Sequence, residues 1–182
     1  MTYYGAKELA ESFRTVRKNT VQIAEEIPEN QYGFQASPET RTVGQLLTHI
    51  ALSYKFHYQI HAQERRTTLE GFDFPSLMQK LGAEEQKSRS KQEIVELLRS
   101  NGEEWAVWLG GLSEDFLKEQ VTMPAGMQPA AKSRFEMVLS VKEHEMHHRG
   151  QLMVIERLIG LVPHLTRQMQ ERMAAMAAPA KA

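Results

Sequence analysis

At the heads of three apolar stripes with helical spacing the chain places a Ser or Thr three residues ahead of a Glu or Gln. The pairs are Thr42 with Gln45, Ser90 with Glu93, and Ser133 with Glu136. In such a box the hydroxyl accepts from the third helical N–H, and the Glu or Gln reaches back to the N–H of the capping residue. Two donors that a helix start otherwise leaves orphaned are satisfied together. Helix starts are therefore expected at 42, 90 and 133. A further helix precedes them, because Leu9, Phe13, Val16, Thr20, Ile23 and Ile27 recur at steps of 4, 3, 4, 3 and 4 and run out at Pro28.

The other stripes complete the outline. The helix from 42 carries two, Val43-Leu47-Ile50-Tyr54-His57-His61 and Leu46-His49-Ser53-Phe56-Ile60. The helix from 90 carries Ile94, Leu98, Asn101, Trp105, Trp108 and Leu112, with Gly110 and Gly111 as stop signals. The last follows Met137, Val141, His144, His148, Leu152, Ile155 and Ile159, and ends at Gly160 and Pro163. No stretch shows sustained strand alternation. The expectation is an all-α four-helix bundle in a single domain over residues 1–182.

Residues 28–41 read as a loop, 121–131 as irregular, and Ser113–Glu119 and Thr166–Met176 as short helices. The connection between the second and third long helices, 65–89, is long for a bundle. It holds Gly71, Pro75 and Gly82 and a helical turn near Ser76–Leu81, and reads as a crossover or a lid over a pocket. The Ala-rich tail from about 177 is expected to fray.

Two imidazoles interrupt the stripe of the last helix. His144 and His148, four residues apart, share one helix face with Cβ atoms about 5–6 Å apart, close enough to grip one ion. Interior histidines need polar partners, and a metal is one. A catalytic site needs a third ligand. His147 points to the flank and His164 follows the helix terminator. His49 lies in an interior stripe and is not half of a pair at four-residue spacing, which makes it the choice. His57 and His61 form another such pair, not disqualified by spacing, although Tyr54, Tyr58 and Gln59 around them suggest a partly wet surface. The plain alternative for every seam histidine is a hydrogen-bonded core residue.

The same run spells His144-Glu145-x-x-His148, the short zinc-protease signature with the glutamate as general base. No strand precedes it, the longer form would need a histidine where Val154 stands, and Glu171 as a further ligand lies beyond Gly160 and Pro163. A metal-dependent hydrolase is kept as a minor reading, with Glu145 otherwise a solvated or salt-bridged residue.

Composition narrows the chemistry. Charged residues make up 25% of the 182 and nearly balance, for a formal net charge of -1, so nucleic acid is not an expected partner. With no cysteine, any metal would take nitrogen or oxygen donors. No apolar run approaches the roughly 20 residues of a membrane span, and the start Met1-Thr2-Tyr3-Tyr4-Gly5 has no signal-peptide pattern. The expectation is a soluble cytoplasmic protein acting on a small molecule.

The run His144-x-x-x-His148-Arg149-Gly150-Gln151-Leu152, with Thr42-Val43-Gly44-Gln45-Leu46-Leu47-Thr48-His49-Ile50 far upstream, resembles the DinB/YfiT-like family of metal-dependent enzymes, which is not the polymerase of similar name. The resemblance spans roughly residues 5–165. It implies a bundle in up-down-down-up order, often a homodimer, with a divalent ion, zinc or nickel, on His49, His144 and His148. Some relatives transfer or isomerise with a low-molecular-weight thiol as cosubstrate. It does not reach the 65–89 connection, nor assign Arg149 and Gln151 a role. Two classes stay open: a metal-dependent enzyme acting through a small thiol, and a non-catalytic bundle that binds a ligand or partner. Trp105, Trp108, Phe56 and Asn101 read as core residues or as pocket lining.

Overall fold

The structure, a computed structural model, describes residues 4–177. It is mostly helical, as expected. Helix α1 spans Ala6–Glu26, α2 Val43–Leu52, α3 Tyr54–Tyr58, α4 Phe74–Glu85, α5 Lys91–Gly110, α6 Glu114–Lys118, α7 Arg134–Leu158 and α8 His164–Ala177. The frayed tail expected after about 177 lies outside the described residues. No helix among those described is long and apolar enough to cross a membrane.

The three capping boxes form as read. Thr42, Ser90 and Ser133 each accept from the third helical N–H, and Gln45, Glu93 and Glu136 each return a bond to the capping N–H. At the far end of α7, Gly160 takes a positive φ of 85°, which costs glycine little and lets the chain turn toward α8.

The second long helix is not continuous. It breaks at Ser53, resumes as α3, and continues as a π-helical turn over Gln59–Gln63. Side chains draw on the carbonyls just before the break. Ser53 Oγ donates to Ile50 O at 3.0 Å, and Asn101 Nδ2, from α5, donates to Ala51 O at 3.1 Å. Such bonds compete with the helical ladder and bend it.

Helix α5 packs on α1 and α2, and α7 packs on the same two helices from the other side, while α4 rests on α2. The core falls into two apolar clusters. One gathers Ile23, Ile27, Leu47, Ile50, Leu98 and Leu152, and the other Leu9, Phe13, Tyr54, Trp105, Leu109 and Val138.

A polar layer separates them. Arg17 and Glu145 are buried, with Arg17 Nη2 2.9 Å from Glu145 Oε2. Arg17 also donates to Leu98 O at 2.6 Å, and Thr20 Oγ1 donates to Glu145 Oε1 at 2.7 Å. Gly102 makes room for the arginine, since a Cβ there would lie 2.7 Å from Arg17 Cγ. Of the two readings of Glu145, solvated or salt-bridged, the second holds. It is also fully enclosed, because α7 is covered on the side facing α1 as well as on the histidine side.

The 121–131 segment, expected to be irregular, is the turn of a small hairpin. Strand β1, Gln120–Thr122, pairs antiparallel with β2, Ala131–Ser133, with Val121 opposite Lys132. Strands of three residues are too short to show an alternation. The long connection is tied to this hairpin, with Leu69 N donating to Thr122 O at 2.8 Å and Thr122 N to Thr67 O at 2.9 Å. The helical turn expected near Ser76–Leu81 is the centre of the longer α4, which Asp73 caps through Ser76 N at 3.0 Å.

Candidate metal centre

His49 projects from the last turns of α2, and His144 and His148 from the middle of α7. His49 and His144 are half-buried and His148 is buried. Their Nε2 atoms converge. His49 Nε2 and His148 Nε2 each lie 3.1 Å from His144 Nε2, and one nitrogen from each ring can be chosen so that all lie within 4.8 Å of one another.

The outer nitrogens decide the tautomers. His49 Nδ1 is 2.5 Å from Glu85 Oε1, and Glu85 Oε2 accepts from Arg41 Nε at 3.0 Å. His148 Nδ1 is 2.7 Å from Gln151 Oε1, an acceptor, so Nδ1 carries the proton. With Nδ1–H on both rings, His49 and His148 present bare lone pairs at Nε2. A single N–H on His144 would have to be shared between the two lone pairs, whereas a cation satisfies all three nitrogens in full. The spacing also fits. For nitrogens at about 2.0–2.1 Å from an ion, neighbouring donors stand roughly 2.9 Å apart at right angles and roughly 3.3 Å apart at the tetrahedral angle.

Burial first, and the neighbouring histidines after it, together lower the His144 imidazole to about 4. Burial lowers His148 as well, against the opposing bond from Gln151. Neutral rings are the form a metal needs. Burial pushes the Glu85 carboxyl up, but its bonds to His49 and Arg41 outweigh this and hold it below the usual range, as an acceptor for the His49 proton.

A cavity of about 520 Å³ opens beside the trio, with His49, His144, Glu85, Phe56, Phe74 and Met78 among its lining residues. Phe56 therefore lines a pocket. Trp105 is fully buried in the core, and Asn101 is a satisfied core residue through its bond to Ala51 O.

The other histidines go elsewhere. The partly wet surface expected around His57 and His61 holds for His57, Tyr58 and Gln59, which are half-buried, and is corrected for His61 and Tyr54, which are buried; the two histidine rings stack with centroids 5.7 Å apart. His61 Nδ1 accepts from the buried Arg134 at 2.9 Å, and His57 Nε2 lies 3.1 Å from Ser140 Oγ. A guanidinium at this distance leaves that nitrogen no lone pair for an ion. Burial carries both rings down to about 3. His147 is exposed, and His164 is buried against Asn19 Oδ1 at 3.3 Å.

The hydrolase reading loses its base. Glu145 faces Arg17 in the interior layer and does not line the cavity beside the trio. Glu171 is exposed on α8, and Arg149 forms no ion pair among the described residues.

Sequence reasoning missed Glu85 and Arg41. Neither carries a local signal, since Glu85 sits in the long connection and Arg41 in a loop. Sequence reasoning also left Gln151 without a role, although a residue three positions beyond a helical histidine is its neighbour on the surface.

Comparison with known proteins bears on the fold and the family. No curated protein matches the chain. Among solved structures, a crystal structure of the DinB-like protein YjoA from Bacillus subtilis superposes with a TM-score of 0.61 at 18% identity, covering 84% of this chain and 92% of that one. Residues 12–152, which contain all three converging histidines, match the family model described as DinB superfamily, and on that match the chain belongs to the DinB superfamily.

Proposed function

We propose that the protein is a metal-dependent enzyme that binds one divalent ion, zinc or nickel, on His49, His144 and His148 and uses it with a low-molecular-weight thiol cosubstrate. The observation that carries this reading is the convergence of the Nε2 atoms, with those of His49 and His148 left unprotonated, on the wall of a pocket. On the same reading α1, α2–α3, α5 and α7 are the four members of an up-down-down-up bundle, and the protein works as a cytoplasmic homodimer.

When bound, the ion supplies Lewis acidity that lowers the pKa of a thiol held beside it. The chain's own residues do the rest. Glu85 and Gln151 hold His49 and His148 in the ligating tautomer. Arg41 keeps Glu85 ionised. Phe56, Phe74 and Met78 exclude water from the side where an electrophile would approach.

Metal analysis of the purified protein, followed by thiol-consumption assays with small thiols and model electrophiles, tests the reading. Consumption that needs the metal and is lost in His144→Ala is the expected result. A loaded protein that binds small molecules but consumes no thiol is instead the binding bundle.

A further inference from the structure

Beyond the metal cavity lies a second one of about 470 Å³, lined by Leu69, Phe72, Met123, Met127, Met137 and Lys132. The two share Phe56, His57, Phe74 and Ser140, so they are lobes of one trough that meet at the Phe56–Phe74 contact, with ring centroids 5.2 Å apart. On α7 the lining runs Glu136, Met137, Ser140, His144, which is a single helix face. The trough therefore follows the α7 axis for about 12 Å between Glu136 and His144.

Its polar groups sit at the ends. At the histidine end the charge of Arg41 is committed to Glu85. At the waist His57 and Ser140 face each other. At the far end Lys132 lines the wall, half-buried, and forms no ion pair among the described residues. The acidic group on that wall, Glu136, turns its Oε2 to the cap of α7, accepting from Ser133 N at 2.8 Å and Ser133 Oγ at 2.7 Å, and feels the charge of Lys132 without a direct ion pair. Phe74 and Met127 are 48% and 53% exposed on the rim, which leaves apolar surface open to a ligand.

We propose that the trough binds a small amphipathic anion. Its apolar body lies along α7 across the Phe56–Phe74 waist, its carboxylate pairs with Lys132, and its other end is directed at the histidines. This names a substrate class for the enzyme proposed above and rests on that reading only for which end reacts. The binding itself needs no metal.

The test is calorimetric titration of the whole protein, as purified and after metal removal, with decanoate, decanol and decylamine. Decanoate is expected to bind in both states and more tightly than decanol. Lys132→Gln should cost about fivefold in decanoate affinity, the scale of a partly exposed ion pair, and leave decanol unchanged. Lys132→Glu should reverse the preference toward decylamine, a gain that misfolding cannot produce. Phe74→Ser should weaken both decanoate and decanol. Equal affinity for decanoate and decanol would overturn the proposal. So would decanoate binding that requires the metal and ignores Lys132, since the carboxylate would then sit at the histidines. Failure of thiol consumption would leave these titrations intact and would count against the enzyme reading alone.

Discussion

Glu85 lies within the long connection, 36 residues beyond His49, yet their side chains meet at 2.5 Å, Oε1 to Nδ1. The carboxylate fixes which nitrogen of the ring is free. Removing it leaves the ring without orientation and with both tautomers accessible. Glu85→Ala should therefore weaken metal affinity about 10- to 100-fold while all three histidines remain. Competition against a chromophoric chelator measures this, and an unchanged affinity would detach Glu85 from the site.

The histidines themselves should divide sharply. His144→Ala removes the nitrogen that lies 3.1 Å from both other rings, and metal content of the purified protein should fall to background. His61→Ala should leave metal content unchanged, because that ring serves Arg134. Equal losses in the two variants would contradict the ligand assignment.

The Arg17–Glu145 layer makes a different kind of prediction. Leaving one member of a buried ion pair alone costs about 3–5 kcal/mol. Glu145→Gln should thus appear chiefly as lost stability in urea denaturation. In a hydrolase that used the glutamate as base, the same change would abolish turnover and spare stability. Gly102→Ala should also destabilise, by about 1–3 kcal/mol, because its methyl meets the aliphatic stem of Arg17.

Glu156 is fully buried near the end of α7, and neither carboxylate oxygen has a hydrogen-bond partner. Burial, with the Glu26 carboxylate nearby, pushes it from 4.5 up to about 7. Between these values the folded protein holds a proton that the unfolded chain releases, so this group's contribution to stability falls as pH rises through the window. Its full size is on the order of 3 kcal/mol. The buried histidines act in the opposite sense, losing stability as pH drops below 6.5. Comparing wild type with Glu156→Gln isolates the carboxyl. The variant should gain on the parent progressively from pH 5 to pH 8, and a constant difference would show that Glu156 does not titrate there.

The sequence carried the long helices and the histidine trio because both are local patterns. A capping box needs four residues and a stripe needs twenty. It did not carry the break at Ser53, which arises where side chains, one of them Asn101 from α5, take up carbonyls of α2. Nor did it show which side of α7 Glu145 would face. Both flanks of that helix are covered, and the partner that settles the matter, Arg17, is 128 residues away. Glu85 escaped for the same reason, since its role exists only once α4 has come to rest on α2.

Helix α4 does two things at once. It supplies the carboxylate behind His49, and with Phe74 and Met78 it roofs the cavity. Any displacement of α4 would therefore disturb the partner of the His49 ring and the cavity wall together. If a guest in the cavity raises the affinity of the histidines for an ion, the ion must, by thermodynamic reciprocity, raise the affinity for that guest by the same factor.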